Sequence, residues 1–215
     1  MRYNAVLFDL DGTIIKSEEG ILNCVEYALR ERGHAVPPRE RLYSFIGPPL
    51  PTEFARVTGC DAAEAEELTE KYRERYRPLG IFECELYGGI ADLLTALHEA
   101  GVKVAIATSK PEIFAKQIVT HFGLDPVVDV LVGAGLDECH SSKFHLITTA
   151  CERLGIDDRT KVVMVGDRCF DVEGALAAGA VACGVTYGYG SQQELTEAGA
   201  HLLAHSAADL KALFL

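Results

Sequence analysis

The chain has 215 residues, 48% of them hydrophobic and 24% charged, with 20 basic against 32 acidic side chains and a net charge of −12. This is the composition of a folded globular protein, not a disordered one, and at this length roughly 70% of the unfolded surface can be buried without a disulfide or metal staple. So acidic a surface repels phosphate backbones and argues against nucleic acid as a partner; no apolar run reaches the about 20 residues of a membrane-spanning helix.

The first apolar run, Ala5 to Leu10, reads as a strand and leads into Asp9-Leu10-Asp11-Gly12-Thr13. Aspartate at position 9 interrupts any signal-peptide apolar region. The seven cysteines are odd in number and none form a CxxC pair, so zinc and redox-pair readings fail. Free thiols without an export signal lead us to expect a cytoplasmic protein.

From Lys16 to Gly80 the pattern is helical, with no convincing strand. Ser17 is placed to cap a helix whose one face carries Ile21, Leu22, Val25, Ala28 and Leu29, and the segment continues past Gly47-Pro48-Pro49 to a charged helix over Ala62 to Tyr76. We therefore expect a small helical cap domain at 16–80, inserted into an α/β core made of 1–15 and 81–215. The insert carries 10 basic and 12 acidic residues, and the remainder 10 and 20, so nearly all the negative excess belongs to the core. The insert's arginines, with Arg41 and Arg56 as candidates, suit the far end of an anionic ligand.

Beyond the insert, apolar runs alternate with amphipathic ones. Strands are expected at Val102 to Thr108, Val127 to Val132, Val162 to Val165 and Ala182 to Thr186. Helices are expected at Ile90 to Ala100, Pro111 to Phe122, Lys143 to Leu154 and Asp171 to Ala178, each followed by glycine. Strands rich in Val, Ile and Ala that hardly alternate are buried on both faces. The fold class is α/β, a Rossmann-like doubly wound parallel sheet with helices on both sides.

Residues two apart in an extended chain share a face, so Asp9 and Asp11 meet at the carboxyl end of the first strand, where open α/β sheets bind ligands. Two close carboxylates push one pKa up unless a cation intervenes, which lets one act as a nucleophile and the other as a proton donor. The plain alternative is that Asp-Gly makes a turn. Gly166-Asp167-Arg168-Cys169-Phe170-Asp171 is a second acidic cluster, in which Asp171 also suits a helix start and Asp167 would lie beside Asp9 if the two strands are neighbours. Converging carboxylates call for a hard divalent cation, and Mg²⁺ suits oxygen ligands. Thr108 and Ser109 end the second long strand before a helix, a small anion site or a routine cap. Lys143 sits in a first helical turn, the wrong end for the helix dipole, which hints at a second purpose; a solvated lysine is the bland reading.

Asp9-Leu10-Asp11-Gly12-Thr13, then Thr108, then Lys143, then Gly166-Asp167 followed by Asp171, resembles the four ordered motifs of the haloacid dehalogenase-like hydrolases. The helical insert is similar to the cap of its phosphoglycolate phosphatase-like members. Phe45-Ile46-Gly47-Pro48-Pro49-Leu50 and Gly166-Asp167-Arg168 resemble a subgroup that holds both phosphoglycolate phosphatases and 5'-nucleotidases. The resemblance implies a phosphatase of small-metabolite phosphomonoesters. Asp9 would be the nucleophile that forms an aspartyl-phosphate, Asp11 the acid and base, and Thr108 and Lys143 the ligands of the phosphoryl oxygens, Ser109 assisting. Mg²⁺ would be held by Asp9, the Asp11 backbone carbonyl and Asp167, with Asp171 in or just outside the first shell. Where the family commonly has proline after its lysine, Lys143 is followed by Phe144, and Lys110 is a second candidate for that role. The resemblance leaves a sugar-phosphate mutase as the alternative and a non-catalytic metabolite-binding protein as the weakest one. It implies a small-molecule substrate, no nucleic-acid or membrane partner, and a monomer or homodimer.

Overall fold

A computed structural model of the chain describes residues 2–136 and 142–215. In chain order it contains β1 (Ala5–Phe8), β2 (Ile15–Lys16), α1 (Glu18–Glu31), α2 (Arg39–Leu42), α3 (Leu50–Thr58), α4 (Ala62–Tyr76) and β3 (Glu85–Leu86). These are followed by α5 (Ile90–Glu99), β4 (Lys103–Pro111), α6 (Glu112–His121), β5 (Val130–Ala134), α7 (Lys143–Leu154) and β6 (Val162–Gly166). The chain closes with α8 (Cys169–Ala178), β7 (Val181–Val185), α9 (Gln192–Glu197), β8 (Leu202–Ala204) and α10 (Ala207–Phe214). It divides into two compact units, one comprising the residues up to Lys16 and from Leu86 onward, the other Ser17–Glu85.

The larger unit is built on a six-stranded parallel sheet in the order β5-β4-β1-β6-β7-β8. The runs that lack polar alternation are those covered on both faces: every residue from Ala5 to Phe8 and from Val162 to Gly166 is buried. Ala5, Leu7, Ala105, Ala107 and Met164 point to the side where Leu146, Ile147 and Cys151 of α7 and Val172 and Ala175 of α8 complete one apolar cluster. Burying each large side chain of that set is worth about 1.5–3 kcal/mol, which holds α7 and α8 against the sheet. The two helices meet at Gly174, where a Cβ would come 2.5 Å from Lys143 Cβ, so the absence of a side chain lets α8 approach the first turn of α7.

Several expectations from sequence need correction. The strand expected to end at Thr108 runs on to Pro111, with a register shift between Thr108 and Pro111, so Thr108 and Ser109 lie inside a strand and not at the mouth of a helix. α6 accordingly starts at Glu112. β5 starts at Val130, because Val127 and Val128 are taken into a turn on Leu124 and Asp129 is held by Lys103 and the Val104 N–H. Asp171 does not open its helix: α8 starts at Cys169 with Arg168 as N-cap, and Asp171 is its third residue. β8 had no counterpart in the sequence reading.

The smaller unit is helical. α1 packs on α4, Leu22, Val25 and Leu29 of the one and Leu68 and Tyr72 of the other being buried, and Asp61 caps α4 by accepting the Glu64 N–H at 3.0 Å. The unit runs past Gly80 to Glu83 because Gly20 donates its N–H to Glu83 O at 3.0 Å and Arg75 grips Glu83 with two bonds of 2.8 Å. Among the described residues of this unit, every arginine except Arg41 has a carboxylate within 4.0 Å. Arg56 is held by Glu53 and Ser44, whereas Arg41 is exposed.

No helix among the described residues is long and apolar enough to cross a membrane. None of the six described cysteines is in a disulfide among the described residues, and Cys139 lies outside them.

Candidate active site

β1 lies at the centre of the sheet with β4 and β6 as its neighbours. Phe8 is level with Ile106 on one side and Val165 on the other. One residue further on, Asp9 therefore stands at the level of Ala107 and Gly166, and Thr108 and Asp167 follow at the next step. Three chain segments thus deliver their polar residues to the carboxyl edge of the sheet, where such folds bind ligands.

Asp9 anchors its backbone by donating its N–H to Val165 O at 2.9 Å. The chain then turns through Gly12, whose φ of +77 belongs to the left-handed region that favours glycine. The turn closes with Gly12 N donating to Ile15 O at 2.9 Å and Ile14 N to Leu10 O at 2.9 Å. Lys143 Nζ, from the first turn of α7, reaches the same place. It lies 2.8 Å from Asp9 Oδ1 and 2.7 Å from Asp171 Oδ1, and donates to Ala107 O at 3.0 Å.

Carboxylate oxygens of Asp9, Asp167 and Asp171 lie within 4.8 Å of one another, and all three residues are buried. Asp171 is held from below, accepting the Arg168 N–H at 3.1 Å on Oδ2, and Gly166 leaves no room for a Cβ beneath it. Asp167 is held by groups that the sequence reading did not identify. Its Oδ2 accepts the Tyr189 N–H at 2.7 Å and its Oδ1 faces the Thr13 hydroxyl at 3.4 Å, while the Tyr187 hydroxyl donates to Thr13 O at 3.0 Å. Gly188 and Gly190 pack so closely on Asp167 that a Cβ at either would overlap it. The available signal was the repeated Tyr187-Gly188-Tyr189-Gly190 after β7.

Asp11 stands apart from this group of three. Its Oδ2 lies 3.0 Å from Lys110 Nζ, and its Oδ1 is buried with no hydrogen-bond partner among the described residues. Thr108 is buried and its hydroxyl accepts the Lys110 N–H at 3.2 Å, while Ser109 is exposed. The two lysines between which the sequence could not choose thus serve different carboxylates, Lys143 beside Asp9 and Lys110 beside Asp11.

Burial pushes the Asp9 carboxyl up to about 6; Lys143 opposes the rise and the charges of Asp171 and Asp11 add to it. Burial, then repulsion from Asp171 and Asp9, pushes Asp167 up to about 8. Lys143 stays above the ordinary lysine value, since Asp171 and Asp9 outweigh the opposing effect of its burial. Three buried carboxylates around one ammonium leave an excess of negative charge that protonation or a cation must relieve. An all-oxygen donor set with that excess fits a hard divalent cation.

The model of the haloacid dehalogenase-like hydrolase family matches residues 6–185. A curated protein of Pseudomonas aeruginosa named a 5'-nucleotidase is 41% identical over 99% of this chain and 95% of its own length. A Mycobacterium tuberculosis protein named tyrosine-protein kinase PtkA is 37% identical over 94% of this chain and 68% of its own. Among solved structures, a predicted phosphatase from Clostridium acetobutylicum superposes with a TM-score of 0.91 at 41% identity, covering 98% of this chain and 97% of that one. With the sheet order, the four ordered motifs and the match over most of its length, the chain belongs to the haloacid dehalogenase-like hydrolase family.

Proposed function

We propose that the chain is a Mg²⁺-dependent phosphatase that hydrolyses small phosphomonoesters through an aspartyl-phosphate on Asp9. The observation that carries this reading is the buried Asp9 carboxylate beside Lys143, with Asp11 two residues on at the carboxyl edge of the sheet. An Asp9 oxygen attacks phosphorus while the bond to the leaving oxygen breaks, and Asp11 gives that oxygen its proton. Water then attacks the same phosphorus as Asp11 takes one of its protons, and the bond to Asp9 breaks to release phosphate. Lys143 and Thr108 hold the phosphoryl oxygens as charge accumulates on them.

Asp9 and Asp167, with Asp171 alongside, would hold Mg²⁺, which when bound supplies positive charge against the repulsion between carboxylate and phosphate. The name of the Pseudomonas aeruginosa relative favours nucleoside 5'-monophosphates as substrates; the sequence resemblance adds phosphoglycolate. In this reading the helical insert selects the leaving group.

The test is phosphate release from a panel containing both substrates and p-nitrophenyl phosphate, with Mg²⁺ and with EDTA. Release that needs Mg²⁺ and disappears in Asp9→Asn is expected. Activity indifferent to EDTA, or retained by Asp9→Asn, would overturn the reading, and isomerisation of a hexose phosphate without free phosphate would identify a mutase instead.

A further inference from the structure

We propose that Lys110 is a positioning residue that acts through Asp11, fixing the acid/base carboxylate by a buried ion pair. The proposal rests on the phosphatase reading above and adds a role to a residue that the reaction itself does not require.

The Lys110 and Asp11 side chains are only 6% and 17% exposed, and their charged ends are 3.0 Å apart. A lysine so deeply enclosed is tolerated because it is paired. Lys143 cannot serve Asp11, since its ammonium is already shared by Asp9, Asp171 and Ala107 O.

The backbone of Lys110 is fixed from two sides. β4 pairs Thr108 with Gly133 and Pro111 with Ala134, so the register shifts at Ser109 and Lys110, which form a bulge. Bulges re-aim side chains next to sites. Here Ser109 turns outward while Thr108 and Lys110 turn in. The bulge closes tightly over Gly133, where a Cβ would stand 2.7 Å from Lys110 O and 2.5 Å from the Glu112 Cα. On its own strand the Lys110 N–H donates to the Thr108 hydroxyl at 3.2 Å.

With Oδ2 tied to Lys110, the Asp11 oxygen left without a hydrogen bond among the described residues is Oδ1. That is the oxygen free to carry the proton. One strand bulge therefore sets both a phosphate-facing hydroxyl, Thr108, and the orientation of the proton donor, Asp11.

The test compares kcat/KM for an alkyl phosphate, whose leaving oxygen needs a proton, and for p-nitrophenyl phosphate, whose leaving group departs as an anion. The proteins are wild type, Lys110→Met, Asp11→Asn and the double variant. For Lys110→Met we expect a loss of about 10–100-fold on the alkyl phosphate and less than about threefold on the aryl one, since general acid catalysis matters only for the poor leaving group. The double variant is expected to be no slower than Asp11→Asn, because a residue that acts through Asp11 has nothing left to act on. Lys110→Arg, which keeps the charge, is expected to recover part of the alkyl phosphate rate.

Equal losses on both substrates, or losses that multiply in the double variant, would overturn the proposal and make Lys110 a ligand of the phosphoryl group. If Lys110→Met does not fold, Lys110→Gln with Lys110→Arg gives the same comparison. Wild-type protein that released phosphate from neither substrate would overturn the phosphatase reading, and this proposal with it.

Discussion

Lys143 Nζ lies 2.8 Å from Asp9 Oδ1, and the same ammonium is 2.7 Å from Asp171 Oδ1. One cation therefore keeps two buried carboxylates from repelling each other, and it is held in place by the close packing of α7 on α8 at Gly174. Lys143→Met would leave both carboxylates uncompensated, at a cost of about 3–5 kcal/mol for a broken buried pair. We expect that loss in urea unfolding of the metal-free protein, together with at least about a hundredfold fall in kcat if Lys143 holds the phosphoryl group as proposed. An unchanged unfolding midpoint would show that the lysine does not hold the pair together.

Asp167 links pH to stability. In the unfolded chain it ionises in the ordinary carboxylate range, but in the folded metal-free protein only at about 8. Between those values the folded state keeps a proton that the unfolded chain has lost. Its stabilising effect is full below the unfolded pKa and gone above about 8, and Asp9, at about 6, acts in the same direction. The metal-free protein is thus expected to melt several degrees lower at pH 8 than at pH 5.5, on the order of 2–4 °C per kcal/mol for a chain of this size. A divalent cation takes over the work of the proton, so the rise in Tm on adding Mg²⁺ is expected to be larger at pH 8. Melting curves at the two pH values, with and without Mg²⁺, check this; an equal rise at both would count against Mg²⁺ sitting on these carboxylates.

The parts of the site visible in the sequence were those set by local pattern. Ala5 to Phe8 is an unbroken apolar run, so the strand and the position of Asp9 at its end could be read directly. Helix starts that depend on a cap were harder: Asp171 looks like an N-cap in sequence, yet Arg168 takes that place and Asp171 turns back to accept its N–H. The bulge at Ser109 and Lys110 could not be read, because it comes from pairing with β5 and contact with Gly133, both distant in sequence. β8 is three residues long, too short to show a period. The partition of the two lysines between Asp9 and Asp11 is a three-dimensional fact with no counterpart in spacing.

The glycines around Asp167 allow a sharper test of the acidic cluster. A Cβ at Gly190 would overlap the Asp167 backbone oxygen, while one at Gly88 would meet nothing within 4 Å. Gly190→Ala is expected to displace Asp167 from its bond to Tyr189 and to weaken Mg²⁺ binding by about 10–100-fold, as loss of groups that orient a metal ligand does. Gly88→Ala is expected to bind as wild type. Calorimetric titration with Mg²⁺ decides; equal affinity in the two variants would mean that Asp167 tolerates movement or is not a ligand.

Arg41 and Arg56 differ in a way that composition could not show. Arg56 is bound by Glu53 with contacts of 3.0 and 2.6 Å, so its charge is already committed and Glu53, itself buried, depends on it. Arg41 is exposed, with no carboxylate within 4.0 Å among the described residues, so its charge remains available to a ligand. Arg41→Ala is therefore expected to raise KM for a substrate with a second anionic group, such as phosphoglycolate, by about tenfold relative to p-nitrophenyl phosphate, as for loss of one charge-assisted contact. Its Tm should not change. Arg56→Ala is expected to do the reverse, lowering Tm while leaving the ranking of substrates alone, because what it loses is the partner of a buried glutamate. Steady-state kinetics on the two substrates, run beside melting curves for both variants, separate the cases. If Arg41→Ala leaves the ranking intact, the exposed arginine does not read the leaving group.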